Sequence, residues 1–288
     1  MIENASLRDV ERELNRLRAG SAEDGEPTQR TSVMTHMAWV PERWVGAATE
    51  VLAGLGERLP SRAILLLPRP DDPRDALDAE VDLRCFVRGS QAGAVCFEVI
   101  ELRLCGARAT RPGSVVAPLI LPDLPVFLRW RGPLPFGGPE LEQLVAQADR
   151  LIVDSGEWTD VEEDLARLPE LFGRIVVSDI AWARTEPWRA GVAGLWPDIA
   201  DASSVRVAGP RADALLIAHW LSSRLGREVE LEHEPAGEIE LVEVDGHAAE
   251  STQRGRLTAS DLLSEQLELF ERDRAYEEAV RSFSSVAT

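Results

Sequence analysis

The length and charge of the chain exclude several classes of protein before any motif is considered. Its 288 residues are enough for about two domains, which excludes a peptide or a disulfide miniprotein. Fifty acidic against 31 basic residues give a net charge of −19, so neither nucleic acid nor an anionic membrane is an expected partner. Every basic residue is arginine, which excludes Schiff-base and P-loop lysine chemistry.

The cysteines and the apolar runs indicate a cytoplasmic protein. Cys85, Cys96 and Cys105 are odd in number and form no CxxC pair, which argues against a disulfide framework and a zinc ribbon. The N-terminus is charged, and no run of about 18 apolar residues occurs, so we expect neither a signal peptide nor a membrane span. Buried, inert thiols are the expectation for all three cysteines, and a redox role is the alternative.

The first 29 residues predict a helix followed by a connector. Ser6 and Asp9 have the spacing of a capping box, and Gly20 ends the apolar pattern. Residues 20–29 are rich in glycine and acid, the composition of a flexible connector. The helix is expected either to pack on its own domain or to clasp another protein.

Residues 30–156 predict an N-terminal α/β domain. A β-α-β order is indicated over residues 31–67, and two antiparallel strands, 78–87 and 94–104, are joined as a hairpin. The proline-rich segment 118–136 then interrupts regular structure, because each proline removes a backbone donor.

Residues 157–288 predict a second α/β domain in which helices and strands alternate, so parallel pairing is expected. Residues 229–234 and 238–244 flank Pro235, Ala236 and Gly237 and predict a hairpin, and one long helix is expected from Ser260 onward. The predicted fold class is therefore α/β with mixed sheets: an antiparallel hairpin in the N-terminal part, βα alternation in the C-terminal part and a helix at each end.

Most of the excess negative charge lies near the C-terminus. Residues 228–278 contain sixteen acidic residues and four arginines, and the glutamates at 228, 230, 232 and 234 share one face of a predicted edge strand. Such a strand resists edge-to-edge aggregation. The acidic region is either a solvated surface or a docking surface for a basic partner.

Motifs of known enzymes are absent from the sequence: there is no GxGxxG after a strand, no GxSxG and no HExxH. No catalytic residue, metal site or cofactor is therefore predicted. Asp154 and Ser155 follow a buried strand, where α/β proteins often bind ligands, and form a candidate anion site. The alternative is an ordinary turn in which both side chains cap the backbone.

Two segments combine tryptophan with arginine. Arg129-Trp130-Arg131 and the run from Asp179 to Arg189 each follow an apolar strand. Such side chains suit a carboxylate, a phosphate or a protein partner, and they suit a stacked scaffold equally well. In either case the indole N–H groups are expected to be hydrogen-bonded.

Four segments in this order resemble the glucose-6-phosphate dehydrogenase assembly protein family, OpcA: PSR (60–62), SVVAPLILPDLPVFLRWRG (114–132), LIVDSGEW (151–158) and SDIAWARTEPWR (178–189). The resemblance implies a non-catalytic partner that binds glucose-6-phosphate dehydrogenase and favours its active oligomer in the oxidative pentose phosphate pathway. The motif positions suggest residues that contact the partner or a small anionic effector: Asp123, Arg129, Trp130, Arg131, Asp179, Trp182, Arg184, Trp188 and Arg189. The two aspartates are expected to orient the arginines.

Two other functions remain open at the level of sequence. An α/β enzyme acting on sugar phosphates would use Asp154, Ser155 and the arginines as an anion site. A stand-alone sensor would bind NADPH or a sugar phosphate at a strand end. The resemblance favours the assembly factor over both.

Overall fold

The computed structural model describes residues 1–23, 32–55, 59, 61–87, 94–253, 255 and 257–285, which divide into two compact units. The first unit contains Met1–Ile152 and Ala259–Glu268, and the second contains Val153–Thr258 and Leu269–Thr288. Residues 259–268 thus return to the first unit. The domain ranges predicted from the sequence, 30–156 and 157–288, do not include this return. No helix in the described part of the chain is long and apolar enough to cross a membrane.

The chain opens with helix α1 (Leu7–Glu23), which runs past Gly20. The predicted capping box is present, since the Ser6 backbone N–H and hydroxyl both donate to the Asp9 carboxylate and the Asp9 N–H donates to Ser6 Oγ. Val10 and Leu14 are buried, and the helix packs on strand β3 (Leu77–Val87) of the same unit. The helix therefore packs on its own unit, and the predicted connector lies outside the described residues from position 24.

Besides α1 and β3, the elements of the first unit are β1 (Thr35–Trp39), α2 (Val45–Leu55), β2 (Arg62–Arg69), β4 (Ala94–Cys105), α3 (Pro112–Val116), β5 (Val126–Trp130), α4 (Pro139–Val145), β6 (Arg150–Val153) and α9 (Ala259–Glu268). Six strands of this unit lie in one sheet in the order β3-β4-β2-β1-β5-β6. The predicted β-α-β order is confirmed, because β1 and β2 are parallel and α2 connects them. β5 and β6 continue the parallel pairing.

The predicted antiparallel pairing is confirmed in β3 and β4, whereas the predicted turn at residues 88–93 lies outside the described residues. The expectation for two of the cysteines in these strands is wrong. Cys85 and Cys96 lie directly opposite each other across the two strands and form a disulfide. Cysteines opposite each other in an antiparallel pair bring their side chains close on the same face of the sheet, and the predicted strand ends at residues 87 and 94 already imply this register. Cys105 is a buried free thiol, and burial raises its pKa.

The second unit contains the predicted alternation of helices and strands. Strand β7 (Val176–Asp179) leads directly into α7 (Ile180–Ala193), and β8 (Ser204–Gly209) leads through Pro210 into α8 (Arg211–Leu225). The elements are α5 (Val161–Arg167), α6 (Pro169–Phe172), β7 (Val176–Asp179), α7 (Ile180–Ala193), β8 (Ser204–Gly209), α8 (Arg211–Leu225), β9 (Glu230–Pro235), β10 (Leu241–Val244), β11 (His247–Ala248) and α10 (Arg274–Ser285).

The hairpin predicted between residues 229 and 244 is wrong. β9 and β10 do not pair with each other, because β8 lies between them in a sheet of order β11-β10-β8-β9. β8 pairs parallel with β9 and antiparallel with β10. Val205 and Val207 of β8 are completely buried. A strand with such apolar side chains favours a central position in the sheet, because that position removes the most apolar surface from water.

The long C-terminal helix is two helices. α9 ends at Glu268 and α10 begins at Arg274, so Phe270 lies between them and is exposed. α9 packs on α2 in the first unit, whereas α10 packs on α5, α6 and α8 in the second. The break allows each helix to cover an apolar surface of a different unit.

Candidate functional site

A polar cluster lies where β6 and β7 end. Asp154 follows β6, and its carboxylate accepts from the Gly156 N–H at 3.1 Å. Asp179 ends β7 and caps helix α7, because one carboxylate oxygen accepts from the N–H groups of Ala181 at 2.9 Å and Ser155 at 3.0 Å. The apolar strands thus end in carboxylates that satisfy the free N–H groups of the following turn and helix.

Arg184 joins two carboxylates of this cluster. Its guanidinium donates to both oxygens of Asp154 at 3.0 Å and to both oxygens of Asp213 at 3.0 and 3.1 Å. Asp213 lies in the first turn of α8 and is almost fully buried. The two bidentate contacts use four of the five N–H groups of the guanidinium, so a phosphate could bind Arg184 with two hydrogen bonds only by displacing a carboxylate.

The electrostatics of the cluster follow from its burial. Desolvation, together with the nearby charge of Asp154, raises the pKa of Asp179 to about 6. Burial, with the charge of Asp179, also raises the pKa of Tyr276 well above its ordinary value. The Tyr276 hydroxyl donates to the second carboxylate oxygen of Asp179 at 3.3 Å, which connects α10 to the end of β7.

The Trp/Arg segment from Asp179 to Arg189 forms part of the interior of the second unit. Trp182 is buried, and its indole N–H donates to Asp273 at 2.6 Å. The Arg189 guanidinium lies 3.3 Å from the centre of the Trp182 ring and donates to Thr185 Oγ1. Trp188 packs against the apolar core of the unit. Burial lowers the pKa of Arg189 to about 10, which leaves it charged at neutral pH.

The segment Arg129-Trp130-Arg131 is mostly interior to the first unit. Trp130 stacks on Trp39 with ring centres 4.9 Å apart, and its N–H donates to the Pro133 carbonyl at 3.1 Å. Arg129 is buried and donates to the Trp130 carbonyl. Arg131 is half-buried, with its guanidinium 5.7 Å from the ring centre of Trp44. The prediction that the indole N–H groups are hydrogen-bonded is confirmed for Trp130 and Trp182, and it stays a prediction for Trp188.

The turn after β5 requires its glycine. Gly132 has a φ of +81°, and a Cβ there would lie 3.0 Å from Arg43 Nη2 and 3.3 Å from Trp44 Nε1. Glycine adopts such a φ without steric cost. Upstream, Asp123 also has a positive φ, +62°, and is exposed. Of the residues suggested in the first unit, Asp123 and Arg131 are thus the accessible ones.

The sequence missed three residues of the second unit that complete its cluster: Asp213, Asp273 and Tyr276. Asp213 is the single acid in the apolar run ADALLIA, and Tyr276 is the only tyrosine of the chain. These two features of the sequence mark both residues as candidates for a buried polar site. Asp273 lies among several acids, and no feature of the sequence distinguishes it from them.

The candidate anion site is not tested by the structure. The Ser155 hydroxyl is buried and has no hydrogen-bond partner within the described residues, and the Asp154 carboxylate binds Arg184. The candidate anion site therefore stays a prediction.

The arrangement defines a two-unit α/β protein in which both tryptophan–arginine segments are largely packed into the fold. Within the described ranges, no group of three or more histidine, cysteine, aspartate or glutamate side chains could hold a metal ion.

Both halves of the chain match domains of a known protein family. Residues 54–170 match the family described as glucose-6-phosphate dehydrogenase subunit N-terminal domain, and residues 175–280 match the corresponding C-terminal domain. The two matches together cover most of the chain, which belongs to the OpcA family. The resemblance seen in the motifs is confirmed.

Three relatives carry the name OxPP cycle protein OpcA. The Synechocystis protein is 30% identical over 182 residues, covering 58% of this chain and 37% of the relative. The Nostoc punctiforme protein is 28% identical over 245 residues, covering 77% of this chain and 51% of the relative. The Synechococcus elongatus protein is 26% identical, covering 65% and 44%. The matches thus span between about a third and a half of the length of these relatives.

Proposed function

We propose that this protein is a non-catalytic accessory subunit that binds glucose-6-phosphate dehydrogenase and favours its active oligomer. The observation that carries the proposal is the match of both halves of the chain to domains described as parts of a subunit of that dehydrogenase. The burial of Arg129 and Trp130 leaves Asp123 and Arg131 as the accessible motif residues of the first unit.

Population shift is the proposed mechanism. A protein that binds one conformer or oligomer of an enzyme more tightly than another pulls the equilibrium toward the first. The shift cannot exceed the difference in affinity, and about 1.4 kcal/mol of difference changes the populations tenfold. Activation therefore requires no bond to be made or broken by the accessory subunit.

Mixing the purified chain with the dehydrogenase of the same organism tests the proposal. We expect a complex in analytical ultracentrifugation, together with a higher rate of NADPH production at a given glucose 6-phosphate concentration. Unchanged sedimentation and unchanged kinetics would refute it. Turnover of a sugar phosphate by the isolated chain would instead favour an enzyme.

Asp123 and Arg131 are the motif residues that we propose to contact the dehydrogenase in the first unit. The double variant Asp123→Asn, Arg131→Gln removes both charges, and asparagine tolerates the positive φ of position 123. We expect binding of the dehydrogenase, measured by titration calorimetry, to weaken at least tenfold, the loss typical of a charged hot spot.

A matched double variant controls for the change in charge. Asp71→Asn with Arg8→Gln alters exposed residues outside the motif, and we expect it to bind like the unmodified protein. Equal affinities for both double variants would place the contact elsewhere.

A further inference from the structure

The outer edge of strand β9 is open in the described part of the second unit. β9 is the last strand of its sheet and pairs only with β8 there. Glu230 N–H donates to the Ser203 carbonyl and Ala236 N–H to the Gly209 carbonyl. Because alternate residues of a parallel strand direct their backbone groups to the same neighbour, Leu231 and His233 direct theirs to the outer edge. An extended chain can pair with these groups.

A groove of about 800 Å³ lies beside this edge. Side chains of α8 and of the start of β9 line it, with Ser203 and Ser282 at its borders. Its volume falls in the range of about 300–1,000 Å³ that ligand sites occupy. The apolar part of the lining includes Leu215, Ala218 and Leu231, which offer contact to aliphatic side chains.

Three of the four serine hydroxyls that line the groove already donate within the protein. The hydroxyls of Ser203, Ser223 and Ser282 donate to Asp245, to the Trp220 carbonyl and to the Ala279 carbonyl respectively. Each hydroxyl has a single proton, so only lone pairs remain on these three oxygens.

His219 adds another acceptor. Its Nδ1 lies within hydrogen-bond distance of Ser282 Oγ, at 2.8 Å. Burial lowers the pKa of His219 to about 4, so the ring is neutral at pH 7 and one of its two nitrogens is an acceptor. The one cation among the described lining residues, Arg227, donates to the Ala200 carbonyl and lies near Asp201.

The charge along the edge is negative and periodic. Glu230, Glu232 and Glu234 are exposed, whereas Leu231 and His233 between them are partly buried. Glu234 pairs with Arg206, and Glu228, Glu230 and Glu232 have no ion-pair partner within the described ranges. Alternate residues of a strand repeat about every 6.5–7 Å, so an extended occupant with cations at every second position would face this row.

We propose that the edge of β9 and its groove bind an extended, basic segment of a partner protein, with arginine or lysine alternating with apolar residues. Its backbone adds a strand to the sheet, its cations face the glutamates and its apolar side chains enter the groove. A second copy of β9 is excluded as the occupant, because it would align glutamates with glutamates. The proposal does not depend on whether the dehydrogenase carries the segment.

An acetylated and amidated peptide with alternating arginine and valine tests the proposal on the full chain. We expect it to bind, by titration calorimetry, at least tenfold more tightly than a peptide of the same composition with its arginines consecutive. N-methylation of every second backbone amide of the peptide, at the positions that would pair with the outer edge of β9, is expected to reduce binding by a similar factor. Agmatine, a single guanidinium, is expected to bind far more weakly.

Two double variants locate the contact. Glu230→Gln with Glu232→Gln is expected to weaken binding of the alternating peptide about three- to tenfold. Glu11→Gln with Glu50→Gln changes the net charge equally at exposed helix positions, and we expect it to leave the affinity for the alternating peptide unchanged. Absence of binding, equal affinity for the two peptide orders, insensitivity to methylation, agmatine binding as tightly as the peptide, or equal weakening in both double variants would each overturn the proposal.

Discussion

At the scale of single residues, the second unit is organised around buried charges with defined partners. Arg184, Asp154 and Asp213 form one group, in which a single guanidinium satisfies two carboxylates. Asp179 forms a second, in which backbone N–H groups and the Tyr276 hydroxyl take the place of a cation. Breaking such groups leaves a charge in a region that water does not reach well, so single substitutions are informative.

Replacing Arg184 by methionine should destabilise the protein by about 3 kcal/mol. The side chain keeps much of its volume, but Asp154 and Asp213 lose their shared cation, and an uncompensated buried charge typically costs about 3–5 kcal/mol. The free energy of unfolding in urea measures the loss. Adding Asp154→Asn and Asp213→Asn to the same chain should recover most of it. A triple variant as unstable as the single one would show that the charges are not the cause.

Replacing Asp179 by asparagine should change how stability depends on pH. Burial raises the pKa of this carboxyl from 3.8 to about 6, so its favourable neutral form is fully present below the unfolded value and is lost as the pH rises through 6. Asparagine keeps the helix cap and does not ionise. From pH 4 to pH 7.5 the unmodified protein should therefore lose about 1–3 kcal/mol relative to Asp179→Asn. Parallel urea unfolding curves at the two pH values measure this difference, and identical differences at both would contradict it.

At the scale of elements, the start of α10 depends on one aspartate with two partners. Asp273 caps the helix by accepting from the Tyr276 N–H at 3.0 Å, and its other oxygen accepts from the Trp182 indole. The cap fixes where the helix begins, and the indole contact fixes where it packs. Tyr276, Ala279, Val280 and Phe283 are buried along its inner face.

Asp273→Ala should therefore destabilise α10 by about 2 kcal/mol, the sum of a lost cap and a lost hydrogen bond. Asp273→Ser restores a capping oxygen without reaching the indole and should recover about half. Hydrogen exchange of the α10 backbone amides measures the effect on this element. Protection of α10 that is unchanged in the alanine variant would show that side-chain packing alone holds the helix.

Elements of this fold could be predicted from the sequence where the signal is local. The Ser6–Asp9 cap, the pairing of β3 with β4 and the alternation of helices and strands in residues 157–288 are all set by neighbouring residues. Strand partners are not local: nothing in residues 229–244 shows that β8 lies between β9 and β10. The split of the C-terminal helix into two was not predicted either, because Leu263, Leu267 and Phe270 have the spacing of one apolar stripe. In the structure Leu263 and Leu267 are buried, whereas Phe270 is exposed.

The candidate site was predictable to a similar degree. The ends of β6 and β7 directed attention to Asp154 and Asp179, and the cluster does form there. Its other members come from α8 and α10, far along the chain, so Asp213 and Tyr276 could be placed only by the fold. Residue type alone could not separate interior from surface either: Trp182 and Arg189 suit a partner contact equally well, yet they stack on each other inside the unit.

At the scale of the whole molecule, the path of the chain matters for any attempt to dissect it. The polypeptide leaves the first unit after Ile152, returns to it as α9 and leaves again for α10. A fragment that stops at residue 152 lacks the helix that covers α2, and a fragment that starts at 153 carries that helix without the surface it fits. Expressing either half alone would expose apolar faces and confuse loss of folding with loss of recognition, so the regions that engage other proteins are better mapped by surface substitutions in the intact chain.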